Sequence, residues 1–319
     1  MDAATVRFID GARLRGALSP SGAVDALHTA LLSGLDPEKD SPRTRVELPS
    51  GQFLQMPSAF DGAVGTKLLT ITPENASRNA PVIQGLYVLF GGPNNEPRAV
   101  LDGIELTNLR TSAVSAFGAR LLVESDGMRI VVFGTGVQAW EHIRTFDDVF
   151  TISEVAVVGR NPEAADSLAA RAQRELGLAA RAADAGAAAQ ADVIICCTAA
   201  REPLFDSGLV SSNTVVIAVG SHEPSAREVD EALMGRSAVV VESCDSALRE
   251  AGDVIQAVQL GAMADPPDLI TLTDLVTGRR SRREGVPAVF KTTGMPWEDL
   301  AVARAVAAAD LGQPVRITK

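Results

Sequence analysis

From about residue 128 onward, short and almost uninterrupted apolar runs rich in β-branched residues recur: Arg129–Phe133, Glu154–Val158, Asp192–Cys197, Thr214–Val219 and Ala238–Val241. Runs without polar alternation predict strands covered on both faces, as in a parallel sheet. The stretches between them are rich in Ala, Leu, Glu and Arg. Pro162–Leu176 has the spacing of a crossover helix, with Asn161 as its N-cap and proline at the first helical position. This alternation predicts a doubly wound α/β domain in preference to a helical bundle.

The first hundred or so residues follow another pattern. Ser19-Pro20 opens an amphipathic helix with Val24, Leu27, Leu31 and Leu32 on its apolar side. Strands are predicted around Gln52–Met56, Lys67–Ile71 and Ile83–Phe90. The turn residues Gly91 to Asn95 follow, and Arg98–Leu101 returns as a hairpin. A long helix, about Glu105 to Val123, leads to a glycine-rich turn. Near the other end Pro296 marks a helix start, with Glu298 and Asp299 in the first turn, where carboxylates favour the helix dipole. This helix lies beyond the last strand of the α/β domain, so it is expected to pack on the N-terminal part. The expected organisation is therefore discontinuous: 1–115 with 296–319 as an α+β domain, and 116–295 as a Rossmann-type domain with a doubly wound parallel sheet. There is no internal repeat, and the alanine-rich stretch Ala179–Ala191 is biased in composition but short.

Length and charge narrow the function classes. A chain of 319 residues predicts two domains, and 29 Lys+Arg against 40 Asp+Glu leaves a formal charge of −11. Such an acidic chain repels nucleic acid and anionic membranes at long range, so neither is expected as a partner. The three cysteines, Cys196, Cys197 and Cys244, are too few for a disulfide framework. No C-x-x-C or Cys/His metal spacing occurs, the histidines His28, His142 and His222 are scattered, and no metal is expected. With no signal-like N-terminal run and no apolar stretch near the roughly 18 residues of a span, the expectation is a soluble, cytoplasmic protein.

The strongest local motif is Gly134-Thr135-Gly136-Val137-Gln138-Ala139, a G-x-G-x-x-A between a predicted strand and a predicted helix. The first glycine permits a tight turn, the second lets a pyrophosphate approach the backbone, and Ala139 allows close helix–strand packing. The next strand ends in Gly159-Arg160-Asn161. Where an NAD site places an acid, this chain places a guanidinium suited to a 2′-phosphate, so NADP(H) is preferred with NAD(H) possible. Thr198-Ala199 and the loop Gly220 to Pro224 follow the carboxyl ends of further strands, where ligands of α/β sheets lie. His222 is the histidine placed there and could handle a proton. In the N-terminal part Arg43, Lys67 and Arg110 stand out; Lys67 opens a strand, and Arg110 lies near a helix start. Cations so placed point to an anionic partner, although salt bridges would account for them as well.

These segments, in order, resemble the ornithine cyclodeaminase/mu-crystallin family: PRT with Arg43, QMPSAF, GTKLLT with Lys67, IQGLYVLF, LTNLRTSAVSAFGAR, GTGVQA, the VGR-N turn, ADVIICCT, AVGSHEPSAREVD and VFKTTG. The resemblance implies a Rossmann domain inserted in a substrate-binding and dimerisation domain, and hence a homodimer. It implies that Arg43, Lys67 and Arg110 surround a substrate carboxylate, with Lys67 reaching the reacting carbon–nitrogen region. The cofactor would lie on Gly134 to Ala139, Arg160, Asn161 and Thr198, with Val219 and Thr292 near the nicotinamide. Ornithine cyclodeaminases carry an aspartate after the paired glycines of the AVGG-D turn; here that place holds His222. The GSH-x-P form and the Arg160 turn look more like the ketimine reductases. The implied activity is NAD(P)H-dependent reduction of a cyclic imino acid, Δ1-pyrroline-2-carboxylate or Δ1-piperideine-2-carboxylate, with Lys67 and His222 as catalytic candidates. Ornithine cyclodeaminase, alanine dehydrogenase and a non-enzymic NADPH-dependent binding protein are the alternatives.

Overall fold

The computed structural model describes residues 5–78, 80–123, 127–310 and 314–316. The chain divides into two compact units, Met1–Thr111 with Gly294–Lys319, and Ser112–Thr293. The divisions fall a few residues before 115/116 and 295/296. The fold is α/β, with a Rossmann-type parallel sheet in the second unit and a mixed sheet in the first.

In the first unit, β1 (Thr5–Ile9), β2 (Thr44–Leu48), β3 (Gly51–Phe60), β4 (Ala63–Ile71), β5 (Ile83–Gly91) and β6 (Glu96–Asp102) share a sheet with the short strand Pro314–Arg316. The sheet order is Pro314–Arg316, β1, β6, β5, β4, β3, β2. β1 and β6 run parallel, whereas β2 to β6 form an antiparallel meander. Alternation fixes which residues face inward. Leu54, Met56 and Ser58 of β3, Gly65, Lys67 and Leu69 of β4, and Tyr87 and Leu89 of β5 are buried. The last helix, Pro296–Ala309, packs on β3, β4 and β5 and against α2 (Pro20–Leu32), which follows α1 (Gly11–Ala17). Its residues Trp297 to Leu300, Val302, Ala303 and Val306 are all buried. In α2, Val24, Leu27 and Leu31 are buried, but Leu32 is 57% exposed because it lies off the apolar stripe in the last turn.

The second unit begins within α3 (Gly103–Leu122). All pairings in its eight-stranded sheet are parallel: β7 (Met128–Phe133), β8 (Ile152–Val158), β9 (Ala180–Ala183), β10 (Val193–Cys196), β11 (Val215–Ala218), β12 (Ala238–Val241), β13 (Ile270–Thr271) and β14 (Ala288–Lys291). The order is β13-β12-β14-β11-β10-β7-β8-β9. The direction of winding reverses between β7 and β10, and ligands of open α/β sheets bind at such switch points. The central strands β10, β11, β12 and β14 are buried throughout, which explains the uninterrupted apolar runs of the first three; β14 ends in the buried Lys291. α5 (Pro162–Leu176) starts where Asn161 accepts from the backbone N–H groups of Glu163 and Ala164, and ends on Gly177 in the left-handed region.

His142, in α4 (Val137–Val149), is fully buried. Its Nδ1–H donates to the Gln138 carbonyl at 2.7 Å, so Nε2 is the unprotonated nitrogen and accepts from Ser115 Oγ at 2.8 Å. Burial lowers its pKa to about 4, and the ring stays neutral.

Gly134 shows the demands of the turn after β7. Its φ is +123°, and a Cβ there would stand 2.5 Å from the Cys197 carbonyl oxygen. Gly134→Ala is expected to destabilise the protein by about 2–4 kcal/mol in urea titrations, through backbone strain and the clash combined.

Candidate active site

The first unit gathers its cations around the start of the last helix. Lys67 lies in the middle of β4, not at its opening, in register with Met56 of β3 and Tyr87 of β5. Its side chain is 1% exposed, because the alternation that buries Gly65 and Leu69 buries it too. The ammonium donates to Asp299 Oδ1 at 3.0 Å and lies 2.9 Å from Oδ2. Arg110 lies well inside α3, not at its start, and is also buried. It donates to Glu298 Oε2 at 2.7 Å, and its Nε lies 3.2 Å from Asp299 Oδ1. Arg43 donates to the Gly294 carbonyl at 3.0 Å. Gly294 must lack a Cβ, which would stand 2.6 Å from Arg110 Nη1 at a φ of +74°.

All three basic residues that stand out in the sequence thus meet residues 294–299. The acids facing them look, in sequence, like partners of the helix dipole alone. Buried cations need counter-ions, and Glu298 and Asp299 are completely buried themselves. Burial is the largest influence on Lys67; with repulsion from Arg110 it brings the pKa down to about 8, against the pull of Asp299 and Glu298. Two further groups escape sequence reading. Asp40 accepts from Ser58 Oγ and from the Trp297 backbone N–H, both at 2.7 Å, and burial raises its pKa to about 6. Tyr87 is fully buried with its hydroxyl over Gly65, where a Cβ would overlap it. The available signal is the pair of acids after Pro296-Trp297, a dense charge in a segment otherwise apolar.

In the second unit, the remaining candidates leave the carboxyl edge of one sheet. Gly134 to Gly136 follow β7, Arg160 and Asn161 follow β8, Thr198 follows β10, Val219 and His222 follow β11, and Thr292 follows β14. The first turn of α4 is free to take an anion. Its N-cap is Gly136, which provides no side-chain hydrogen bond, and a Cβ built there meets nothing within 4 Å. Thr135 packs over Gly159, Val137 is exposed, Ala139 is buried, and the Gln138 carbonyl is taken by His142. These features fit a dinucleotide pyrophosphate on the backbone N–H groups. Arg160 is exposed and makes no ion pair among the described residues, whereas the Asn161 side chain caps α5. His222 is exposed, with Nδ1 3.4 Å from the Gly220 carbonyl.

A buried network shapes these loops. Glu228 Oε1 accepts from the Thr198 N–H at 2.8 Å and its hydroxyl at 2.7 Å, and Oε2 accepts from the Gly220 N–H at 2.6 Å. Burial raises the Glu228 pKa to about 7, against the influence of Lys291. Lys291 Nζ lies 3.3 Å from Asp253 and donates to the Ala218 carbonyl at 3.1 Å. Glu242 accepts from the Thr292 hydroxyl and from the Thr293 N–H.

A parallel sheet with a glycine turn at its switch point and an uncapped helix start behind it has the features of a nicotinamide-dependent oxidoreductase. Residues 21–311 match the ornithine cyclodeaminase/mu-crystallin family, and the chain belongs to it. Ketimine reductase mu-crystallin of Mus musculus is 32% identical over 249 residues, covering 78% of this chain and 77% of its own. The Delta(1)-pyrroline-2-carboxylate reductase of Paracoccus denitrificans (strain Pd 1222) is 31% identical over 264 residues, covering 81% and 84%. Among solved structures, the Thermococcus litoralis Delta(1)-pyrroline-2-carboxylate reductase in complex with NADH and L-proline has a TM-score of 0.90 at 26% identity, covering 97% of this chain and 100% of that one.

The contrast between the two glycines of the turn is testable. Gly136→Ala is expected to change urea stability by no more than about 1 kcal/mol. It should weaken binding of a nicotinamide dinucleotide about tenfold in calorimetric titration, since a methyl there would stand where a pyrophosphate would approach the backbone.

Proposed function

We propose that this chain is an NAD(P)H-dependent reductase of cyclic imino acids, converting Δ1-pyrroline-2-carboxylate, Δ1-piperideine-2-carboxylate or both to L-proline or L-pipecolate. The observation that carries this reading is the buried Lys67–Arg110 pair, fixed by acids before any substrate arrives. Such cations are already desolvated and oriented, so a carboxylate meets charge-assisted donors without reorganisation. Arg110 offers a planar donor face, and Arg43 a second one at Gly294. The bound nicotinamide supplies the hydride for the C=N carbon. The chain must deliver a proton to the ring nitrogen, and Lys67 is suited to do so, because with a pKa near 8 it is charged at neutral pH yet gives up a proton readily. Hydride and proton together convert C=N to CH–NH, and Lys67 then regains its proton from solvent. His222, exposed on its loop, is the second proton-handling candidate.

Units and ligands divide accordingly: the 1–111/294–319 unit takes the imino acid, and the 112–293 unit the cofactor. Gly134, Thr135, Gly136, Val137, Gln138 and Ala139 hold the pyrophosphate, Asn161 and Thr198 border the nucleotide, and Val219 and Thr292 border the nicotinamide. Arg160, exposed after β8, supports NADP(H) over NAD(H) by the charge of the 2′-phosphate. The half-exposed Val64 and Leu86 on the open sheet face support a homodimer. Three free cysteines fit the reducing cytoplasm. No described helix is long and apolar enough to cross a membrane.

The purified protein should oxidise NADPH when given either imine. Absence of turnover with both ring sizes and both cofactors would overturn the reading. Ammonia release from ornithine without net cofactor use would assign a cyclodeaminase instead, pyruvate with ammonium an alanine dehydrogenase, and cofactor binding without any turnover a binding protein.

Arg110→Ala is expected to lower kcat/KM for the imine by at least about tenfold, the loss of one charged hydrogen bond, with NADPH affinity retained. Arg160→Ala should do the reverse, weakening NADPH more than NADH in paired titrations. The pH profile of kcat/KM should fall above about pH 8, because the donor form of Lys67 is lost as pH rises through its pKa.

A further inference from the structure

Asp299 occupies the first turn of the last helix, yet it does none of the work of a helix start. That role belongs to Glu298, whose Oε1 accepts from the Met295 N–H at 2.9 Å while Oε2 takes Arg110. Among the described residues, the polar contacts of Asp299 are two cations and nothing else: the Lys67 ammonium at 2.9–3.0 Å and the Arg110 Nε at 3.2 Å. The carboxylate is fully buried, as are both neighbours to within a few per cent. A buried acid with no backbone duty costs desolvation that a purely structural position need not incur. It is also the one group that touches both cations, which repel each other.

We propose that Asp299 is a positioning residue for the reduction, fixing the Lys67 ammonium and the Arg110 guanidinium at one spacing and keeping Lys67 charged for proton delivery. The inference rests on the reductase reading above. The titratable groups around this pair are Glu298 and Asp299 from the last helix, Arg110 from α3, Tyr87 from β5, and Asp40, which repels Asp299 from the segment before β2, while β3 contributes no titratable residue. Arg304, farther along the last helix, is turned to Asp61. Asp299 and Glu298 are thus what holds the proton on Lys67 against burial and Arg110, and Asp299 alone contacts the ammonium directly.

The test compares Asp299→Asn and Asp299→Glu in the full-length protein, with kcat and KM for Δ1-pyrroline-2-carboxylate and NADPH measured from pH 6 to pH 10 (about the range that brackets a lysine of lowered pKa). The asparagine variant should move the alkaline limb of kcat/KM to lower pH by about one unit or more, since an opposite charge at this range has been removed. The glutamate variant keeps the charge and displaces it by one methylene. It should leave the limb in place and lower kcat/KM about tenfold or more, with KM for NADPH unchanged. A limb that stays put in the asparagine variant overturns the inference, whatever the loss of rate or thermal stability. If that variant is not recovered folded, the glutamate variant decides: parental kcat/KM overturns the inference, and the stated loss supports it. A parent protein without imine turnover would sink the reductase reading itself, a distinguishable result.

Discussion

Putting a lysine and an arginine inside a protein demands counter-charge, and this demand organises the first unit. Lys67 lies in the inner row of a sheet among Leu54, Met56, Leu69 and Leu89, and Arg110 lies in the body of a helix. Without counter-charge Lys67 would lose its proton, and Arg110, which keeps its charge, would be expelled. Both persist because one helix turn brings Glu298 and Asp299 against them, with Trp297 and Leu300 sealing the surroundings. The arrangement sets a chemical property as well as a shape, since the same burial that requires the acids weakens the hold of Lys67 on its proton.

The second unit buries charge as well, but places it at the carboxyl ends of its central strands, where Lys291 closes β14 against Asp253. Glu228 ties the ends of β10 and β11 together through Thr198 and Gly220, and Lys291 with Asp253 supports the Ala218 carbonyl beneath. Glu228 accepts from backbone N–H groups that the strand ends would leave unpaired, and Lys291 donates to a carbonyl there. The Gly134 N–H is taken by the Val158 carbonyl, whereas the start of α4 at Gly136 has no side-chain cap and can receive an anion.

Much of this is legible in the sequence where a physical signal is local. Uninterrupted β-branched runs mark β7, β8, β10, β11 and β12 within a residue or two, and the Asn161-Pro162 cap marks α5. β9, four residues of Ala180–Ala183, is not legible, because alanine carries neither strand propensity nor hydrophobic contrast. β14 reads as part of a motif and not as a strand, since its lysine closes the run where turn chemistry is usual. Lys67, Arg43 and Arg110 stand out as misplaced charges. Their acids do not, because carboxylates in a first helical turn already have a sufficient local explanation. Only tertiary packing shows that Glu298 and Asp299 point inward, across 188 and 232 residues of chain from Arg110 and Lys67.

That separation bears on how the molecule is made. A ribosome releases Lys67 long before Asp299, and the whole of the 112–293 unit emerges in the interval. Until the last helix leaves the exit tunnel, the meander β2–β6 carries a cation on its inner face and has no lid over β3, β4 and β5. The unit that begins the chain is therefore the one that matures last, and a transcript truncated before residue 299 would yield a nascent sheet unable to bury its own core.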